Sequence, residues 1–321
     1  MRKKLWSTAY LFFLLPIIGC EASKTEPFFL GEIPEEHIQY QTDSIIELGK
    51  RFFFDKALSL DNSIACASCH NPKLAFADTV RFSQGINNRQ ATRNSPSLFN
   101  VAFSSSFMGE GNVLTLEMQA LIPLRDTNEM GSHVGDLIEE LKSNAYYVMA
   151  AKKFFNRPLD AFVLTRSLSA YERSLTFVSR FDRFYYYKEE NAISQQEKRG
   201  WKLFSEDLKC TQCHSLPNFT NSEVVYNGAI GDYLNKTDKG LYNLTNKNSD
   251  IGKFKVPSLR NITRTGPYMH DGSYQTIEEV LYQYQKGGKH GINLDKRISP
   301  FSLKKAEKEA LISFLNSISE E

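Results

Sequence analysis

The pentapeptide Cys66-Ala67-Ser68-Cys69-His70 constrains this chain more than any other stretch, because it returns as Cys210-Thr211-Gln212-Cys213-His214. Two thiols separated by two residues can add to the two vinyl groups of one haem while the adjacent histidine reaches the iron, so each pentapeptide reads as a c-type haem attachment site. The same cysteine pair could serve zinc or a redox dithiol. Zinc needs a second ligand pair nearby and a thioredoxin-type dithiol needs a βαβ setting, and neither surrounds either site. The pattern predicts two covalent haems, with His70 and His214 as proximal iron ligands.

Five cysteines are present, four of them in these sites. The fifth closes Ile17-Ile18-Gly19-Cys20, which resembles a bacterial lipobox, where cleavage ahead of Cys20 leaves its sulfur to carry a lipid. Met1-Arg2-Lys3-Lys4 and the apolar run Leu5 to Ile18 have the form of a secretory signal and are too short for a membrane span. Residues 1–19 are therefore expected to be a lipoprotein signal peptide, and residues 20–36, with Pro27 and Pro34, a polar tether. Ordinary cleavage nearby would instead discard Cys20. On the first reading the protein is exported, to the periplasmic side or cell envelope, and held to a membrane by lipid. No cysteine is left for a disulfide.

With 321 residues, 41% apolar and 24% charged, the chain can build two ordinary domains with a core. A formal net charge of +2 gives no basic field for nucleic acid. Ile45, Leu48, Phe52 and Phe53 recur at helical spacing ahead of the first site, with Gly49 among them. Residues 71–100, rich in Asn, Ser, Pro and Gly, read as loop around a cofactor. Short helices are expected over Leu114–Leu121, stopped by Pro123, and over Val134–Leu141, capped by Ser132. A longer helix is expected from Leu159 to about Phe184, striped by Phe162, Leu164, Leu168, Tyr171, Leu175 and Val178, as core and not as a cofactor box. The charged segment 188–193 separates an N-terminal haem domain, 37–190, from a C-terminal one, 191–321. Ser194-Gln195-Gln196-Glu197 forms a capping box for a helix carrying Gly200, Trp201, Leu203 and Phe204, so the second half repeats the helix-then-haem order of the first. Residues 218–256 read as loops, and Leu303–Ile318 as a last amphipathic helix. No alternating strand pattern appears, so the fold is mainly α.

These motifs, with Leu58–Pro72, Arg93-Asn94-Ser95-Pro96, Leu116–Gly131, Val256-Pro257-Ser258-Leu259-Arg260-Asn261 and Gly266-Pro267-Tyr268-Met269-His270-Asp271-Gly272, resemble bacterial dihaem cytochrome c peroxidases, including their MauG-like branch. The match runs from about Gly49 to Leu315. The resemblance implies two cytochrome c-like domains, the N-terminal haem meeting peroxide and the C-terminal haem accepting electrons. It implies a catalytic Gln and Glu ten residues apart, here Gln119 and Glu129. A carboxylate suits a proton shuttle between the peroxide oxygens. The loop histidine that caps the first haem in reductively activated members corresponds to Ile86, which cannot ligate iron. The second haem's distal ligand, Met or Tyr in the family, corresponds to Tyr284, and a phenolate there would favour ferric iron. A calcium ion between the haems would take Asn94, Thr265 and Pro267. His270 would bond a haem propionate or water. His37, His133 and His290 lack a partner motif and read as surface or loop residues.

One position departs from the family: the Trp between the haems is replaced by Gly109, and Trp201 is the only tryptophan outside the signal. Three readings follow. The first is a peroxidase that reduces hydrogen peroxide with electrons from a small donor protein, such as a monohaem cytochrome c or cupredoxin, with a homodimer left open. The second is a MauG-like oxidase of a partner protein's residues, favoured by Tyr284 and Ile86 and opposed by Gly109. The third is a non-enzymatic electron carrier.

Overall fold

The computed structural model describes residues 30–32, 35–231, 233 and 236–319. The expected signal peptide, residues 1–19, and residues 20–29 and 33–34 of the expected tether, Cys20 among them, lie outside them. The chain begins with α1 (Glu35–Ile38), a single turn, and α2 (Asp43–Phe54), where Thr42 accepts a hydrogen bond from the Ile45 amide. The first Cys-x-x-Cys winds as α3 (Cys66–Cys69), and a long loop leads to α4 (Leu116–Arg125), α5 (Val134–Leu141), α6 (Ala145–Phe155) and α7 (Ala161–Ser174). Then come α8 (Arg180–Tyr185), α9 (Gln195–Lys202), α10 (Tyr242–Thr245), α11 (Ile277–Gln285) and α12 (Lys305–Ser317). The only strands among the described residues are β1 (Val224–Val225) and β2 (Phe254–Lys255), an antiparallel pair with Val224 opposite Lys255. Two residues are too few to leave an alternating pattern in a sequence.

Each half is built on one crossing of two helices. In the first, Leu48, Phe52 and Phe53 of α2 bury against Val163, Leu164, Leu168 and Tyr171 of α7. Burial of such side chains contributes roughly 1.5–3 kcal/mol each. The helices touch at Gly49, where a Cβ would stand 1.8 Å from the Ser167 carbonyl oxygen. The second half repeats the device: α9 crosses α12 at Gly200, where a Cβ would stand 2.0 Å from the Ala310 oxygen. Gly49→Ala or Gly200→Ala must therefore push two helices apart, and each is expected to cost roughly 1–3 kcal/mol by the scale of overpacked cores. Thermal unfolding followed by circular dichroism measures this, and an unchanged midpoint would reject the close crossing.

The expected Leu159–Phe184 helix is two helices. The chain leaves helical geometry after Ser174 because Asn100 draws it away: the Asn100 amide donates to the Leu175 carbonyl at 2.8 Å, and its side-chain oxygen accepts from the Phe177 amide at 3.1 Å. Ser179 and Asp182 then form a capping box that starts α8. Phe181 packs with Trp201, Phe204, Phe219 and Phe314, so the second core begins ahead of the charged segment 188–193. Pro123 does not stop α4, which runs to Arg125; lying in its last turn, the proline removes one amide donor while its own carbonyl accepts from Met130. Residue His133, not Ser132, occupies the cap of α5, and the Ser132 hydroxyl donates to the Leu58 carbonyl instead. The Ser194 capping box forms as expected, and α9 then widens into a π turn, Leu203–Asp207, directly before the second haem pentapeptide.

Candidate active site

Around the first pentapeptide, the His70 Nδ1 lies 3.0 Å from the Phe76 carbonyl and 3.1 Å from the Pro96 carbonyl, so it carries the proton and leaves Nε2 as the free lone pair. Burial holds the imidazole pKa below its ordinary value, keeping the ring neutral, as an iron ligand must be. Cys66 and Cys69 are unpaired by any disulfide, and burial raises both thiols, Cys69 to about 11. The second pentapeptide repeats this. His214 Nδ1 lies 3.2 Å from the Phe219 carbonyl and its pKa is pushed down to about 4 by burial, while Cys210 rises to about 12 for the same reason. Four half-buried thiols and two oriented neutral imidazoles are the donor set that two covalent haems require, so the residues fit that group.

Glu129 stands beside the first pentapeptide. Its charge raises the Cys69 thiol, which puts the two within electrostatic reach. The carboxyl has no hydrogen-bond partner among the described residues, and burial, then the charge of Asp126, lifts its pKa to about 7. The turn that presents it is tied down through Asp126, whose carbonyl accepts from the Glu129 and Gly131 amides at 3.0 and 2.8 Å. Ile86 is buried at 2% exposure, and its amide donates to the Glu129 carbonyl at 2.9 Å. Gln119 is half-buried on α4, which the Met130 amide to Pro123 carbonyl bond joins to the Glu129 turn. No hydrogen bond links Gln119 to Glu129.

Tyr284, on α11, is half-buried beside the second pentapeptide, and desolvation raises its pKa to about 12, with the charges of Cys210 and Cys213 adding to the rise. Its hydroxyl accepts from the Asn227 side chain at 3.2 Å, and the same amide nitrogen lies 3.6 Å from the Met269 sulfur. Asn227 was not foreseen: it sits in a loop 57 residues from Tyr284, with no motif around it. Tyr282, its neighbour in the helix, is 60% exposed.

Between the halves, the Asn94 amide donates to the His270 carbonyl at 2.8 Å, bringing Asn94 alongside the Thr265–His270 segment. The Asn94 side-chain nitrogen donates to the Val80 carbonyl at 3.1 Å. Thr265 is buried, its hydroxyl turned to the Ile262 carbonyl. The His270 ring stacks on Phe254 with centroids 3.8 Å apart, and burial lowers its pKa. Beside Gly109 stands Arg93: a Cβ there would lie 2.5 Å from Nη1, and the guanidinium is held by Asp238 at 2.7 and 2.9 Å and by Glu110. Of the three unassigned histidines, His133 and His290 are exposed. His37 is not simply a surface residue: its Nδ1 lies 3.4 Å from Glu117, which forms a buried bidentate pair with Arg173.

A mainly helical chain in which two Cys-x-x-Cys-His segments each close on a neutral, oriented imidazole is a c-type cytochrome with two haem sites. Its relatives give the family. A profile of di-haem cytochrome c peroxidases matches residues 43–191. The methylamine utilization protein MauG of Methylorubrum extorquens is 32% identical over 292 residues, covering 90% of this chain and 82% of that protein. The cytochrome c551 peroxidase of Pseudomonas aeruginosa is 30% identical over 322 residues, covering 96% and 90%. Among solved structures, a MauG-like protein associated with microbial copper homeostasis superposes with a TM-score of 0.79 at 28% identity, covering 87% of this chain and 90% of that one. The chain belongs to the di-haem cytochrome c peroxidase family, in which its MauG-like relatives are included, and is an oxidoreductase.

Proposed function

We propose that this protein is an exported, lipid-anchored peroxidase that reduces hydrogen peroxide to water with electrons from a small redox protein, a monohaem cytochrome c or a cupredoxin. The Glu129 carboxyl carries the reading. It is close to Cys69, free of hydrogen bonds among the described residues, and poised at about 7, so at neutral pH it can both take and return a proton. Reduction of one peroxide consumes two electrons and two protons and yields two waters. When bound, the haem at His70 supplies the iron that peroxide approaches, and the haem at His214 receives electrons from outside.

Within that frame Glu129 moves a proton from one peroxide oxygen to the other, and the Gln119 amide orients peroxide or water. Ile86 carries no ligand atom, so this site needs no reductive ejection of a loop histidine. Tyr284 would supply the second protein ligand to the iron held at His214, with Asn227 donating to its oxygen. Asn94 would hold calcium through its side-chain oxygen, with Thr265 and Pro267, and His270 would bond a haem propionate or water. A calcium chelator is expected to lower turnover, and added calcium to restore it; a chain without bound calcium by metal analysis and with an unchanged rate would remove that site. The function itself is tested by mixing the holoprotein with a reduced monohaem cytochrome c and peroxide. Two donor molecules oxidised per peroxide support the reading, and no peroxide-dependent oxidation overturns it.

A MauG-like oxidation of a partner protein is the second reading, and Tyr284 beside the second pentapeptide favours it. The Arg93 guanidinium against Gly109 opposes it, because a cation clamped by two carboxylates cannot replace an oxidisable indole. No described helix is long and apolar enough to cross a membrane.

A further inference from the structure

Among the described residues, Lys255 is an unmatched cation in a place where its neighbours are matched. Around the seam between the halves, Arg93 holds Asp238 and Glu110, Arg81 holds Asp271, Arg297 holds Asp295 and Glu223, and Lys253 holds Asp250. The Lys255 ammonium has no hydrogen-bond or ion-pair partner among the described residues, and burial alone lowers its pKa. Its stem runs past Gly111, with Cδ 3.6 Å from where a Cβ would stand there. A half-buried ammonium with no anion among the described residues is free to take a counter-ion from a bound group.

The backbone says where that anion comes from. The Lys255 amide donates to the Gly109 carbonyl at 2.7 Å, which fixes β2 against the first half. Two residues on, the Pro257 carbonyl lies beside the His214 imidazole. The strand paired with β2 starts just after Asn221, whose amide donates to the Cys213 carbonyl at 2.8 Å. Lys255 therefore stands on the wall of the second haem site, turned to the seam.

We propose that Lys255 is the counter-ion of a propionate of the haem held at Cys210, Cys213 and His214, forming an ammonium-carboxylate pair that closes the seam. The pair also tunes the electron-accepting centre, because a nearby positive charge favours the reduced over the oxidised iron. The inference rests on the proposed haem at His214 and is independent of Glu129 and Tyr284 having the roles given them above.

The test uses the holoprotein and its Lys255→Gln and Lys255→Arg variants, with haem counted per chain and each haem's midpoint followed by its own ferric paramagnetic resonance signal. Lys255→Gln is expected to lower the midpoint of the His214 haem and to move the propionate bending band in resonance Raman spectra, while Lys255→Arg keeps the midpoint near that of the parent. An unchanged His214-haem midpoint and band in Lys255→Gln would overturn the pairing, as would a shift confined to the His70 haem. If Lys255→Gln does not load haem, Lys255→Arg decides: the exchanged donor must still move the propionate band, and an unmoved band overturns the proposal. One haem per chain in the parent would refute the haem reading itself, a different result from an unmoved band on a two-haem protein.

Discussion

Glu129→Gln is expected to lose roughly 10²–10⁴ of the second-order rate with peroxide, the usual contribution of a positioned acid-base group, while retaining both haems and its donor binding. The pH dependence separates this from a loss of shape. The parent carboxyl, raised to about 7, must be ionised to take the first proton, so the rate rises with pH through about 7 and then levels. The variant's low rate is flat across that range. Stability should move the opposite way. A carboxyl whose folded pKa is raised contributes stability that is present below its unfolded value and lost as pH rises through the folded one. Glu129→Gln is therefore expected to be more stable than the parent above pH 7, by on the order of 2 kcal/mol, and nearly equal to it at pH 4. Stopped-flow peroxide kinetics and denaturant titrations at several pH values check both. A variant with parental kinetics would remove Glu129 from the chemistry, and one that is less stable at high pH would show that its carboxylate is welcomed by the fold.

Asp182→Ala should produce the largest loss of stability. Asp182 and Arg260 are 0% and 1% exposed, and they form a bidentate pair at 2.9 and 2.7 Å. The same carboxylate accepts from the Ser179 amide and hydroxyl, both at 2.8 Å, which starts α8. Arg260 also donates to the Pro217 carbonyl at 2.7 Å, three residues from His214, so one carboxylate links α8 to the wall of the second haem site. Removing it strips a buried guanidinium of its counter-charge and costs roughly 3–5 kcal/mol. At about 2–4 °C per kcal/mol, the midpoint should fall by on the order of 10 °C. Asp182→Asn keeps the shape and part of the cap but not the charge, so it should lose most of the same amount. A midpoint within experimental error of the parent in both variants would contradict the pair's role.

What could be read from the sequence was local. The haem pentapeptides, the α2 stripe of Leu48, Phe52 and Phe53 and the Ser194 capping box depend on residues within a few positions of one another, and periodicity and capping chemistry expose them. The resemblance carried Glu129, Ile86 and Tyr284 to their positions, and the fold places each beside a pentapeptide or its neighbouring turn. What escaped depends on distant partners. Nothing near Leu175 announces a break; the cause is Asn100, 77 residues from the Phe177 amide it receives. Asn227 reaches Tyr284 across 57 residues, and Arg93 fills the space at Gly109 because Asp238, 145 residues away, holds it there. Lys255 reads as one more lysine in a loop-rich stretch until its surroundings show that every basic neighbour named above has a carboxylate and that it has none among the described residues. His37 joined a buried ion pair for the same reason: Glu117 and Arg173 meet only in the folded chain.

The central claim is that the His70 site is open and reactive without prior reduction. The low-temperature paramagnetic resonance spectrum of the fully ferric holoprotein, taken before and after one equivalent of peroxide, tests it most directly. The account predicts a high-spin ferric signal that is lost on adding peroxide and returns when two equivalents of reduced donor follow, with Glu129→Gln showing the same starting signal and a much slower loss. Two low-spin haems that ignore peroxide would contradict the open site at Ile86.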